Sequence, residues 1–141
     1  MTTGILNLEI LMKKPQNRSN CPFCNHNSDR TIIADSDLAF AIFDKYPVSP
    51  GHALIIPKKH CNNFFDLNHA EQSACLFLLN HVKKILDADY KPNGFNVGVN
   101  IGEFAGQTIQ HAHIHLIPRY QGDIDDPRGG VRGVIPEKKV Y

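Results

Sequence analysis

Residues 111–115 read His-Ala-His-Ile-His. Side chains alternate across a β-strand, so a strand over residues 109–117 sets His111, His113 and His115 on one face and Ala112, Ile114 and Leu116 on the other. Packing gives no reason for a polar face made of imidazole alone. With an ordinary pKa near ~6.5, imidazole offers a neutral ring nitrogen at cell pH. Such a nitrogen can attack phosphorus or an acyl carbon and form a covalent intermediate that water later resolves. It needs its other ring nitrogen held by an acceptor, and a neighbouring imidazole can donate to the oxygen where charge develops. The same row could instead ligate a metal, because His-x-His on a strand presents two ring nitrogens together. The upstream residues favour phosphate over a bare metal cage. Gly102 and Gly106 let backbone N–H groups approach an anion, and Gln107 and Thr108 add neutral donors.

Cys21-Pro22-Phe23-Cys24 is a second constellation. Three chemistries compete for it. A redox pair belongs at a strand-to-helix junction, which residues 25–29 do not resemble. A pair of buried thiols needs no further partner. A zinc site needs two more ligands from elsewhere in the chain. Cys61 and Cys75 read as ordinary thiols, Cys75 on the core face of a helix.

The elements that position these groups follow from pattern. Residues 1–14 suit a short helix. Residues 31–34 and 38–43 are apolar runs around Asp-Ser-Asp and read as a hairpin. Residues 52–56, 95–99 and 109–117 read as further strands. Asn68 followed by Glu71 predicts a capped helix start. Cys75, Leu78, Leu79, Val82, Ile85 and Leu86 recur at three and four, which marks one apolar helix face. Pro92-Asn93-Gly94 ends that helix. The expectation is a single α+β domain over residues 1–141. It has an antiparallel sheet of about five strands, one long helix and a short N-terminal helix. Residues 1–20 form an extension, and residues 120–141 a tail wrapped on the surface.

Lys and Arg number 15 against 14 Asp and Glu, a net charge of +1. Bulk charge therefore gives no nucleic-acid partner, and phosphate recognition must be local. No segment approaches the roughly 18 to 20 apolar residues of a membrane span. The first 14 residues lack the pattern of a signal peptide. A soluble, cytoplasmic protein with unpaired thiols is expected.

The motifs resemble the histidine triad (HIT) family. His111-Ala-His113-Ile-His115-Leu-Ile precedes Pro118-Arg119-Tyr120, and Ala105-Gly106-Gln107-Thr108 stands ahead of it. Asp44, Pro50-Gly51-His52 and Ile56-Pro57-Lys58-Lys59-His60 follow the family order, so the resemblance covers roughly residues 21–125. It implies an α+β homodimer that attacks the α-phosphate of a nucleotide, forms a nucleotidyl-histidine and passes the nucleotide to water or another acceptor. The substrate would be a dinucleoside polyphosphate, a phosphoramidate or a nucleotide sugar.

By that resemblance His113 is the nucleophile, and His115 contacts a phosphate oxygen. Gln107 and Thr108 hold the phosphate and leaving-group side, and Asn100 is a further phosphate contact. Asp44 binds the ribose hydroxyls, and His52 orients the site. Phe40 or Phe43 would cover the base. Some members bind zinc through residues matching Cys21, Cys24, His60 and His111. Four protein ligands would make that zinc structural, and no organic cofactor is expected. Arg128 and Arg132 in the tail either reach a polyphosphate or decorate the surface. Two other functions stay open: a non-catalytic nucleotide- or metal-binding module, and a hydrolase with catalytic zinc on the three histidines. The latter sets Cys21 and Cys24 in competition for His111.

Overall fold

The structure is a computed structural model, and it describes residues 18–25 and 31–141. The helix expected over residues 1–14 lies outside the described residues. Five strands form one antiparallel sheet: β1 (Ile32–Asp35), β2 (Ala39–Phe43), β3 (Ala53–Pro57), β4 (Gly94–Gly98) and β5 (Ile114–Arg119). Their spatial order is β1-β2-β3-β5-β4. One long helix, α1 (His69–Tyr90), lies between β3 and β4 in the chain. The α+β class with five antiparallel strands and one main helix holds.

Helix α1 starts at the expected cap. Asn68 Oδ1 accepts from Glu71 N at 2.8 Å, and Glu71 Oε1 accepts from Asn68 N at 2.9 Å, which satisfies two orphan donors reciprocally. Lys91 closes the helix in the left-handed region with φ 50°, and Pro92 follows. The buried face is Cys75, Leu78, Val82 and Leu86. It packs on Ala39, Ala41, Ala53, Ile55, Ile114 and Leu116. The three alanines let the helix sit close to the sheet.

The alternate residues of the same strands face the other way. Phe40, Ile42, Leu54 and Ile56 form a second core cluster with Cys21 and Phe23 from the N-terminal turn. Period-two alternation thus builds a helix layer on one face and the cysteine turn on the other.

The strand expected over residues 109–117 begins only at Ile114. Its last partner in β3 is Ile55, and β3 ends at Pro57, which has no N–H for a ladder. Beyond that point Ala112 N donates to the carbonyl of Cys61 at 2.7 Å, so residues 111–113 run beside a loop. The tail forms short 3-10 turns at Gly130–Val134 and Pro136–Lys138 on the surface, the first against β4. Among the described residues no helix is long and apolar enough to cross a membrane.

Candidate active site and metal centre

Ile114 and Leu116 anchor β5 to the helix layer, which turns His115 to the opposite face. The lead-in sets His113 and His111 against Phe23 on that same face, and the ring centroids of His113 and His115 lie 5.0 Å apart. His113 Nδ1 lies 2.8 Å from the carbonyl oxygen of His111. A carbonyl only accepts, so Nδ1 carries the proton and Nε2 keeps its lone pair. His113 is 7% exposed, and burial lowers its pKa below the ordinary value, so the ring is neutral.

A second chain of bonds sets His115. Val48 N donates to His52 Nδ1 at 3.1 Å, so the proton of a neutral His52 is on Nε2. That proton reaches His115 Nδ1 at 2.9 Å, with Asp44 Oδ2 3.4 Å from the same Nε2. A neutral His115 then holds its own proton on Nε2. Burial, with His113 and His52 alongside, pushes His115 down to about 4. Burial also lowers His52, against an opposing pull from Asp44. The site thus pairs a basic Nε2 on His113 with a donating Nε2–H on His115.

His52, His113 and His115 line a cavity of about 320 Å³ together with Asp44, Asn100 and Thr108. Six of the residues expected at the substrate site therefore meet in one pocket. Asp44 has two duties: Oδ1 accepts from Tyr46 N at 2.8 Å and caps the turn, while Oδ2 faces the histidines.

Gln107 does not line this pocket. Its Oε1 accepts from Gly102 N at 2.9 Å, and its Nε2 faces Asn62 O and Oδ1 at 2.8 Å and Ile109 O at 3.1 Å. The buried amide ties the glycine loop to residue 62. Nor do Phe40 and Phe43 line the pocket. Phe40 is in the second core, and Phe43 packs on Tyr90 with ring centroids at 6.2 Å. Phe23 lines it instead, edge-on to His113 at 5.1 Å. The only sequence sign of Phe23 was its place between the two cysteines. The part of Val48 is a backbone N–H, which side-chain motifs do not report.

Cys21, Cys24, His60 and His111 also meet, with one ligand atom from each within 4.8 Å of all the others. Cys21 Sγ–His111 Nδ1 is 3.4 Å, Cys24 Sγ–His60 Nδ1 3.3 Å, Cys24 Sγ–His111 Nδ1 3.6 Å and His60 Nδ1–His111 Nδ1 3.2 Å. A tetrahedral ion with nitrogen at about 2.0 Å and sulfur at about 2.3 Å sets its ligand atoms roughly 3.3–3.8 Å apart. His111 Nε2 is 2.7 Å from the Pro57 carbonyl and donates to it. Its Nδ1 lone pair therefore points into the cluster, the orientation a metal ligand takes. Asp44, His52 and His115 also cluster closely enough for a metal. There the Val48 N–H holds His52 with its proton toward the cluster, which disfavours a cation.

The HIT domain profile matches residues 25–122. The chain belongs to the HIT family. Among its HIT relatives is an uncharacterized 16.1 kDa HIT-like protein of Mycoplasma pneumoniae, 33% identical over 79% of this chain and 80% of that one. An AP-4-A phosphorylase of Mycobacterium tuberculosis is 31% identical over 65% of this chain, which spans 48% of that enzyme. A bis(5'-adenosyl)-triphosphatase of Dictyostelium discoideum is 30% identical over 67% of this chain and 64% of that one. A HIT family protein from Bacillus anthracis superposes with a TM-score of 0.70 at 34% identity, covering 74% of this chain and 76% of that one. A Zn-bound histidine triad family protein from Mycobacterium smegmatis superposes with a TM-score of 0.69 at 26% identity, covering 76% and 80%. The family includes nucleotide-cleaving enzymes, and the paired histidines described above lie within the matched segment.

Proposed function

We propose that this HIT protein cleaves the α-phosphate bond of a nucleotide through a nucleotidyl-histidine. The observation that carries the reading is the opposed protonation of two neighbouring imidazoles, lone pair on His113 Nε2 and proton on His115 Nε2. In the first step the Nε2 lone pair of His113 forms a bond to phosphorus. The bond from phosphorus to the leaving group breaks, and its electron pair stays on the leaving atom, which takes a proton from water. The hydroxide so formed, or an equivalent acceptor, then attacks phosphorus and returns the electron pair to Nε2. His115 donates to a non-bridging oxygen as charge develops. The Nδ1–H bond to the His111 carbonyl holds the ring while it is positively charged.

Asp44 takes the ribose hydroxyls, and Asn100 and Thr108 take phosphate oxygens. Dinucleoside polyphosphates and phosphoramidates both offer the required phosphorus. Cys21, Cys24, His60 and His111 hold a structural zinc, which supplies a crosslink next to the nucleophile and no open coordination position. A homodimer and a reducing, cytoplasmic setting complete the proposal. Among the described residues no strand pairs with the outer edge of β4, where Val97 is 44% exposed, and dimerisation would cover that surface.

His113→Ala and His113→Asn test the nucleophile. Turnover should fall on the order of a thousandfold or more, as for other covalent nucleophiles, while nucleotide binding persists. Turnover within tenfold of the parent protein would remove His113 from that role and favour a binding module.

A further inference from the structure

All four cysteines are free thiols, and their surroundings differ. Cys75 is fully buried between α1 and the sheet. Cys61 donates to the carbonyl of Asn63 at 3.2 Å. Cys21 and Cys24 share one turn, closed by Asn25 N donating to the Cys21 carbonyl at 3.0 Å. Both Sγ atoms enter the cluster with His60 and His111 and lie at most 4.8 Å apart. A disulfide closes that distance to about 2.05 Å. Cys21 is fully buried and Cys24 half-buried, so a small solute reaches Cys24 first.

A cation in the cluster keeps its coordinating thiols deprotonated, and the thiolate is the form that oxidants modify. The turn thus presents one reachable thiolate with a second placed to resolve it. Phe23, between the two cysteines, packs against His111 and His113 at ring centroid distances of 5.7 and 5.1 Å. A shift of the turn therefore reaches the same two rings that the cluster and the triad pocket share.

We propose that Cys21 and Cys24 form a peroxide-responsive modification site, whose oxidation to a disulfide withdraws two metal ligands and unfastens His111 at the base of the histidine row. The inference rests on the structural zinc reading above. Cys24 Sγ attacks one oxygen of hydrogen peroxide, the O–O bond breaks and hydroxide leaves, so Cys24 becomes a sulfenic acid. Cys21 Sγ then attacks Cys24 Sγ. The S–S bond forms, the S–O bond breaks and a second hydroxide leaves. The sulfur pair loses two electrons, peroxide gains them, and both hydroxides take protons from the buffer. Only His60 and His111 then remain as ligands, too few for a tetrahedral site. His111 keeps its bond to the Pro57 carbonyl and its carbonyl contact with His113 but loses the tie through Nδ1. Thiol reductants reverse the bond.

The test treats the full chain, loaded with zinc, with hydrogen peroxide. Zinc released to a colorimetric chelator, the disulfide by peptide mass spectrometry and Tm are followed together. Zinc release should track the Cys21–Cys24 disulfide at about one ion per bridge, as four-ligand coordination requires. Tm should fall, and a dithiol reductant with added zinc should restore it. Alkylation should show Cys21 and Cys24 lost roughly tenfold or more faster than Cys61 and Cys75, the selectivity of a thiolate over a held thiol. Cys61→Ser should release zinc as the parent protein does. Retained zinc with Cys21 and Cys24 intact, zinc release without the bridge, or oxidation of Cys24 past the sulfenic acid with no bridge each overturns the modification site alone. Protein that carries no zinc when purified without chelators overturns the zinc reading, and the modification site falls with it.

Discussion

One backbone N–H, that of Val48, decides which nitrogen of His115 carries a proton, because it occupies His52 Nδ1 and sends the His52 proton toward His115. Residue types alone leave three imidazoles equivalent, whereas hydrogen bonds to fixed donors and acceptors make them different. Asp44 illustrates the same economy, since one oxygen caps a turn and the other faces the histidines. If its carboxylate also takes ribose hydroxyls, Asp44→Ala should weaken AMP roughly ten- to a hundredfold more than 2′,3′-dideoxy-AMP, the worth of two charge-assisted hydrogen bonds. Loss of the cap should lower stability and affect both ligands together. Calorimetric affinities of the two ligands for parent and variant therefore separate the duties, and an unchanged ratio would take Asp44 out of ribose binding. At this scale the row His111, His113 and His115 and the pair Cys21 and Cys24 were legible from type and spacing, whereas His52 and His60 entered only through the family resemblance. The direction of the Gln107 amide was not legible, because a glutamine in a glycine loop looks alike whether its amide faces a ligand or three backbone groups.

At the scale of elements, the short lead-in to β5 couples the two centres. His111 points Nδ1 into the Cys21–Cys24–His60 cluster, donates from Nε2 to Pro57 and accepts from His113 through its carbonyl. An ion held by that cluster would therefore also hold the group that orients the nucleophile. Protein purified without chelators should carry about one zinc per chain, the stoichiometry of a four-ligand structural site. Cys21→Ser with Cys24→Ser should abolish it and lower both Tm and turnover. Elemental analysis with a melting curve checks this, and metal-free protein of undiminished Tm would leave the cysteines as plain thiols. The alternating pattern of the lead-in predicts a strand. A strand also needs a partner with free ladder groups, and Pro57 ends that partnership.

At the scale of the molecule, burying neutral imidazoles links stability to pH. Folding lowers the pKa of His115 to about 4 from an ordinary 6.5, so the unfolded chain binds a proton first as pH falls. The contribution is complete above about pH 6.5 and is lost on acidification between 6.5 and about 4, with an upper bound of about 3 kcal/mol. His52 is shifted in the same direction. Thermal melts should show Tm falling from pH 7 to pH 5, and His115→Asn should flatten that slope. A Tm that rises on acidification, or a slope unaltered in the variant, would contradict the buried neutral state.

The sequence by itself determined the α+β class, the capped helix, the family and the residues able to do chemistry, because periodicity, capping and motif order are local properties. It also specified which side chains share a strand face, since alternation needs no partner. Only the tertiary structure decided where β5 begins, which ring nitrogens carry protons, that Gln107 turns inward and that Phe23 replaces Phe40 or Phe43 at the pocket. Each of these depends on what a distant segment supplies: a proline without an N–H, a carbonyl at residue 111, a loop at residue 62, a turn at residue 21. Such neighbours are set by the packing of the sheet.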